Sequence, residues 1–94
     1  MFNNERNNLK KKYIIVTKHA AERLKERNIK LEQVKRAIYE PHITIPAWAK
    51  KKRVMRDFGD KCLDVIYKET ENSLILVTAV WLTKKERFKN VEDR

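Results

Sequence analysis

The sequence is poor in the residues that bind metals, cross-link chains or cradle nucleotides. It has one glycine, one cysteine and two histidines in 94 residues. Cys62 alone excludes an intramolecular disulfide and a two-cysteine metal cluster. His19 and His42 have no cysteine or carboxylate at metal-ligand spacing, so no metal and no cofactor is expected. The triplet Asp57-Phe58-Gly59 copies a kinase motif, but the chain is too short for that fold and lacks a glycine-rich loop. No apolar run approaches ~18 residues, so no membrane span is expected. The polar stretch FNNERNN after Met1 is no apolar signal region, which together with the lone cysteine points to the cytoplasm.

What the sequence has is charge. Charged residues make up 38% of the chain and hydrophobic residues 41%, with a net charge of +10. That supports one core in one domain, wrapped in an ionic surface. A field of this sign attracts polyanions, so RNA or another nucleic acid is the first partner to consider and an acidic protein the second.

Residues 1–12 read as a flexible basic tail, 13–90 as a single α+β domain, and 91–94 as a frayed end. YIIVT at 13–17 is a short β-branched strand. Thr17 is placed to cap a helix from Lys18, with Asn28 closing it in the left-handed region and Ile29 packing back. A second helix follows from Leu31 to Glu40, with Leu31, Val34, Ala37 and Ile38 on its apolar face, and Pro41 stops it. PHITIPAWA at 41–49 is a connection with some extended character. Gly59-Asp60 reads as a two-residue hairpin turn that sets Arg56 opposite Leu63 and Val54 opposite Val65. LILVTAVWL at 74–82 is a central strand, and Thr83 with Glu86 reads as the capping box of a short last helix. The expected fold is a strand and helical hairpin packed on an antiparallel sheet of three to four strands, with a short C-terminal helix.

Three groups of residues carry possible chemistry. His19, Arg23 and Arg27 recur every four residues along the border of the apolar arc of the first helix. Imidazole moves protons near neutral pH, and guanidinium offers planar donors to phosphate. The alternative is structural: Arg23 and Arg27 pair with Glu22, Glu26 or a strand carboxylate, and His19 bonds a carbonyl. Arg56, on an otherwise apolar strand face, is either held for an anionic ligand or snorkels to water. Thr78, the hydroxyl in the middle of the most apolar strand, either lines a site or is a plain β-former.

The third group is basic and aromatic. Lys50, Lys51, Lys52 and Arg53 form a run beside Trp48, and Lys84, Lys85 and Arg87 open the last helix. Each is a candidate nucleic-acid contact or a solvated charge. Trp48, Tyr39 and Trp81 are candidates for base stacking, with Trp81 equally at home in the core.

HAAERLKERNI at 19–29 resembles the opening of a family of small domains of unknown function whose helix reads His-Ala-x-x-Arg-x-x-x-Arg-Gly-Ile. The resemblance continues through LEQVKRAI, CLDVIYKE and LILVTAVW, covering most of residues 17–82, with Asn28 in place of the glycine. It implies the architecture of RelE-like, barnase-like and colicin-type ribonuclease toxins. It also implies metal-independent RNA cleavage and an acidic antitoxin as partner. His19, Arg23 and Arg27 match the helix motif, and Thr78 a polar position of the final strand. The tail TKKERFK resembles the end of BrnT-like toxins. In such an enzyme His19 would be the acid or base, and Arg23, Arg27 and Arg56 would hold the phosphate charge. The second proton carrier would be Glu22, Tyr67 or a lysine. The other readings are a non-catalytic nucleic-acid-binding module and a basic protein whose main partner is acidic.

Overall fold

The computed structural model describes residues 11–47 and 49–83. The elements are β1 (Tyr13–Val16), α1 (Lys18–Glu26), α2 (Leu31–Tyr39), β2 (Ile43–Pro46), β3 (Lys51–Asp57), β4 (Lys61–Glu69) and β5 (Ser73–Thr83). They form an α+β fold with one sheet of order β1-β5-β4-β3-β2. The sheet is therefore five-stranded and mixed, not antiparallel with three or four strands. Two features account for the difference. β1 pairs parallel with β5, from Tyr13 beside Ser73 to Val16 beside Leu76, a contact between segments far apart in sequence. ITIP in the 41–49 connection pairs with β3 as an edge strand, the sheet position that tolerates Pro46. The proposed C-terminal helix, with Lys84, Lys85 and Arg87, lies outside the described residues.

Local chemistry sets the helices. Thr17 Oγ1 accepts from the Ala20 amide at 3.1 Å and starts α1. At the other end Asn28 takes φ +54°, the Ile29 amide donates to Leu24 O at 2.9 Å, and the Asn28 amide donates to Lys25 O at 3.2 Å. This pair of hydrogen bonds closes the helix and turns Ile29 into the core. At the start of α2 the Gln33 side chain accepts from the Lys30 amide at 2.9 Å. Val34, Ala37 and Ile38 are buried, whereas Leu31 is exposed, so the apolar face of α2 is one residue narrower than its sequence suggests.

Arg56 faces Leu63 and Val54 faces Val65 across the Gly59-Asp60 turn, the register expected from a two-residue loop. Gly59 takes φ +111° there. Because opposed residues share a face, Val54, Leu63, Val65, Tyr67, Leu74, Leu76 and Ala79 form the side on which both helices pack. The second face holds a smaller buried group of Ile45, Met55 and Cys62. Beside it Arg53 grips Asp64 with three hydrogen bonds of 2.7–3.1 Å. The bond with Asp64, only partly opposed by burial, raises the Arg53 pKa above its usual value.

A further clamp ties the chain before β1 to the sheet. Glu69 accepts from Lys12 and, at 3.0 Å, from Lys52. Burial pushes the Glu69 carboxyl up, but the two lysines outweigh it and hold its pKa below the usual value. A carboxylate with a depressed folded pKa stabilises the fold above its unfolded pKa. That stability is lost as pH falls through the folded value. The difference in urea midpoint between the wild type and Glu69→Gln is therefore expected to be constant near neutrality. It should shrink progressively below about pH 4.3, the ordinary glutamate value. A difference that grew on acidification would contradict the clamp.

Candidate nucleic-acid interface

β5 is longer than its partner β1. β1 covers Ser73 to Leu76, and beyond that point no described strand pairs with the outer edge of β5. The register on the other side slips at the same place. Leu76 faces Tyr67 and Thr78 faces Ile66, so Val77 is an extra, exposed residue. Such a bulge bends the strand and re-aims its neighbours, and bulges are common beside functional sites.

α1 ends over this break. Arg27 donates to the Ala79 carbonyl at 2.7 Å and, more weakly, to Thr78 Oγ1 at 3.4 Å. The guanidinium is thus fixed by neutral acceptors. Among the described residues neither Arg23 nor Arg27 makes an ion pair, and Glu22 and Glu26 are exposed on α1 without reaching them. The structural alternative of pairing with these carboxylates does not occur. Arg23 and Arg27 are half-buried, and His19 is exposed one turn before Arg23. Side chains four apart on a helix are neighbours, so His19, Arg23, Arg27 and Thr78 form one strip from the start of α1 to the bulge in β5.

Arg56 does not join that strip. It lies on β3, and β4 separates β3 from β5, an offset of about 10 Å at ordinary strand spacing. Its Nη1 donates to the Glu40 carbonyl at the end of α2, where a cation is favoured. It neither snorkels as a lone charge nor reaches the strip.

The basic run of 50–53 is divided by the alternation of β3. Arg53 is tied to Asp64 and Lys52 to Glu69. Arg53 is thus matched one-to-one by a carboxylate, whereas Lys52 shares Glu69 with Lys12, so that trio keeps one net positive charge. Lys50 is exposed in the turn at φ +62°, and Lys51 is half-buried on β3. Trp48 lies outside the described residues. Tyr39 is half-buried against the core, and burial raises its pKa. Tyr67 is 2% exposed in the core, so it cannot carry protons to a surface ligand.

Sequence reasoning passed over Phe58 and Lys61. Phe58 meets the Trp81 ring edge-on at 5.9 Å between centroids, and Lys61 Nζ stands 4.6 Å from the Trp81 ring centre. Arg56 lies 5.8 Å from the Phe58 ring centre. The signal was present in the hairpin register, which puts Arg56, Phe58, Lys61 and Leu63 on one face.

Two concavities of the described surface lie elsewhere. One, of about 380 Å³, is lined by Lys11, Lys12, Tyr13, Glu71 and Asn72. The other, of about 350 Å³, is lined by Glu32, Lys35, Arg36, Tyr39 and Glu40. The α1 strip lines neither of them. No group of three or more metal-ligating side chains occurs among the described residues, and no described helix is long and apolar enough to cross a membrane.

Residues 16–81 match the model of a family described as a domain of unknown function, DUF4258. No curated protein and no solved structure matches the chain.

Proposed function

We propose that this chain, which belongs to the DUF4258 family, binds RNA along the α1 margin and cleaves it without a metal, as a toxin-like endoribonuclease. The observation that carries the reading is the state of Arg27. It is held in place by a carbonyl and a hydroxyl, with its positive charge left uncompensated by any described carboxylate. A guanidinium positioned but not neutralised is ready for a phosphate. Arg23 doubles the charge one turn away, and His19 supplies an exposed imidazole on the same strip. Thr78 orients Arg27 and so acts as a positioning residue.

Metal-free cleavage proceeds by attack of the ribose 2′-hydroxyl on the adjacent phosphorus. The 2′-oxygen must lose a proton, the phosphorane must be stabilised, and the 5′-oxygen must gain a proton. His19 performs one of the proton transfers, and Arg23 and Arg27 hold the phosphorane charge. With Tyr67 buried, Glu22 and surface lysines are the remaining second carriers.

The burial of Tyr67 also favours a second reading, an RNA-binding module that does no chemistry. Incubation of single-stranded RNA with the protein in excess EDTA separates the two. Cleavage by the wild type and its loss in His19→Ala supports the enzyme. Binding without cleavage in both supports the module. Absence of both binding and cleavage overturns the whole proposal.

A further inference from the structure

Both helices pack on one face of the sheet, and no described helix packs on the other. Part of that other face is nevertheless dry. Met55 and Cys62 are each 0% exposed, and Ile45 is 8% exposed. Asp64, in one cross-strand row with Ile43 and Met55, is 6% exposed. On the same face at the opposite edge the state is reversed. Ile14 and Val16 pack into the helical core, so Tyr13 and Ile15 alternate to the other side. There Tyr13 is 76% exposed and Ile15 43%. Side chains on a sheet face reach full burial under a second layer. Arg53 is not that layer, because it grips Asp64 on the side of Met55 away from the Gly59-Asp60 turn, whereas Cys62 is on the turn side.

The chain leaves the sheet beside this buried group. β5 ends at Thr83, and Leu82 faces Cys62 and packs against it. Residues 84–94 follow directly, and Phe88 and Val91 are their only apolar side chains, set three apart among Lys84, Lys85, Arg87 and Lys89. From β5 to β2 the face is three strand spacings wide, about 14 Å. This stretch reaches about 16 Å even at the short rise of a helix. Other occupants fit less well. The N-terminal residues enter at Tyr13, beside Ser73, at the far end of β5 and on the opposite edge of the sheet from β2. The 47–50 turn joins β3 at Lys51, and the Lys51 and Asp57 ends of β3 are about 20 Å apart, with Cys62 at the Asp57 end. A second copy brings its own net charge of +10 against the first.

We infer that residues 84–94 fold back across the second sheet face and seat Phe88 over Ile45, Met55 and Cys62. The cations of this stretch are thereby held on the side of the sheet away from α1 and α2, as a basic surface separate from the α1 strip. The inference is independent of RNA binding and of cleavage.

The test uses Cys62, the one cysteine of the chain, as the reporter. The full-length protein is treated with a chromogenic disulfide reagent in buffer and in denaturing urea. The wild-type thiol is expected to react slowly in buffer, because a covered thiol reacts only when the structure opens. Phe88→Asp should speed labelling by more than about tenfold, since an unpaired carboxylate does not seat on an apolar face. Its rate should be nearly independent of dilute urea, the mark of local opening, with thermal melting showing that the variant is folded. Phe88→Leu should keep most of the protection. Val91→Asp, an independent variant, should act in the direction of Phe88→Asp. Labelling of the wild type at the rate of the unfolded chain overturns the inference, as does protection left intact by both aspartate variants. A rate that climbs steeply with urea traces the exposure to global unfolding and contradicts it. Exposure by Phe2→Asp in place of Phe88→Asp assigns the cover to the N-terminal residues, and protection lost on dilution assigns it to a second copy; either result overturns the inference.

Discussion

Arg53→Met is expected to lower the unfolding free energy by about 3–5 kcal/mol, the usual cost of removing one partner from a buried ion pair. The reason is the environment of Asp64. Its side chain is 7% exposed, and Arg53 supplies every hydrogen bond described to its carboxylate oxygens. Methionine fills the space of the arginine stem and leaves the carboxylate desolvated. The reverse change, Asp64→Leu, should cost less, because the Arg53 side chain is 23% exposed and can turn its head to water. The double variant Arg53→Met/Asp64→Leu should regain most of the loss, since no buried charge remains. For a domain of this size the first substitution removes a large part of the total stability. Urea denaturation of the three variants measures the order. Equal losses for both single variants, with no recovery in the double, would show that the pair is held by something other than mutual neutralisation.

His19→Ala is expected to reduce metal-independent RNA cleavage by about 10²- to 10⁴-fold, the span for loss of a positioned general acid or base. His19 is exposed at the start of α1 and contributes no buried contact, so the fold should survive the change. RNA affinity should change less than rate, because the phosphate charge is held by Arg23 and Arg27 and not by His19. Arg27→Met should act differently. It removes a phosphate contact together with the bond to the Ala79 carbonyl, and so should weaken binding as well as rate. The split between the two variants separates proton transfer from charge stabilisation. A His19→Ala protein that cleaves at the wild-type rate would remove His19 from the chemistry.

What could be read from the sequence was what neighbouring residues decide among themselves. The Thr17 cap, the Asn28-Ile29 closure and the Gly59-Asp60 hairpin are each set within a few residues, and each is found where the pattern puts it. The strip of His19, Arg23 and Arg27 was visible for the same reason, since helical spacing alone aligns it. The pairing of β1 with β5 was not visible, because it joins Tyr13 to Ser73 and leaves no local trace. Nor was the bulge at Val77, which decides where Arg27 lands. The run Lys50 to Arg53 left its partners open, because a strand sends alternate residues to opposite faces and the run alone does not say which carboxylates they meet. With the hairpin register in hand, Arg53 and Asp64 fall on the same face, so their pairing was within reach of the sequence.

The central claim is that Arg23 and Arg27 meet RNA phosphate. The most direct measurement is the affinity for a short single-stranded RNA of uridines as a function of salt. Each phosphate contact with a single strand contributes about 0.7 to the slope of log affinity against log salt. Arg23→Gln and Arg27→Gln should each lower the slope by about that amount, and Lys52→Gln, which removes a lysine bound to Glu69 away from the α1 strip, should lower it by less. A slope that ignores the two arginines and falls with Lys52 would contradict the account.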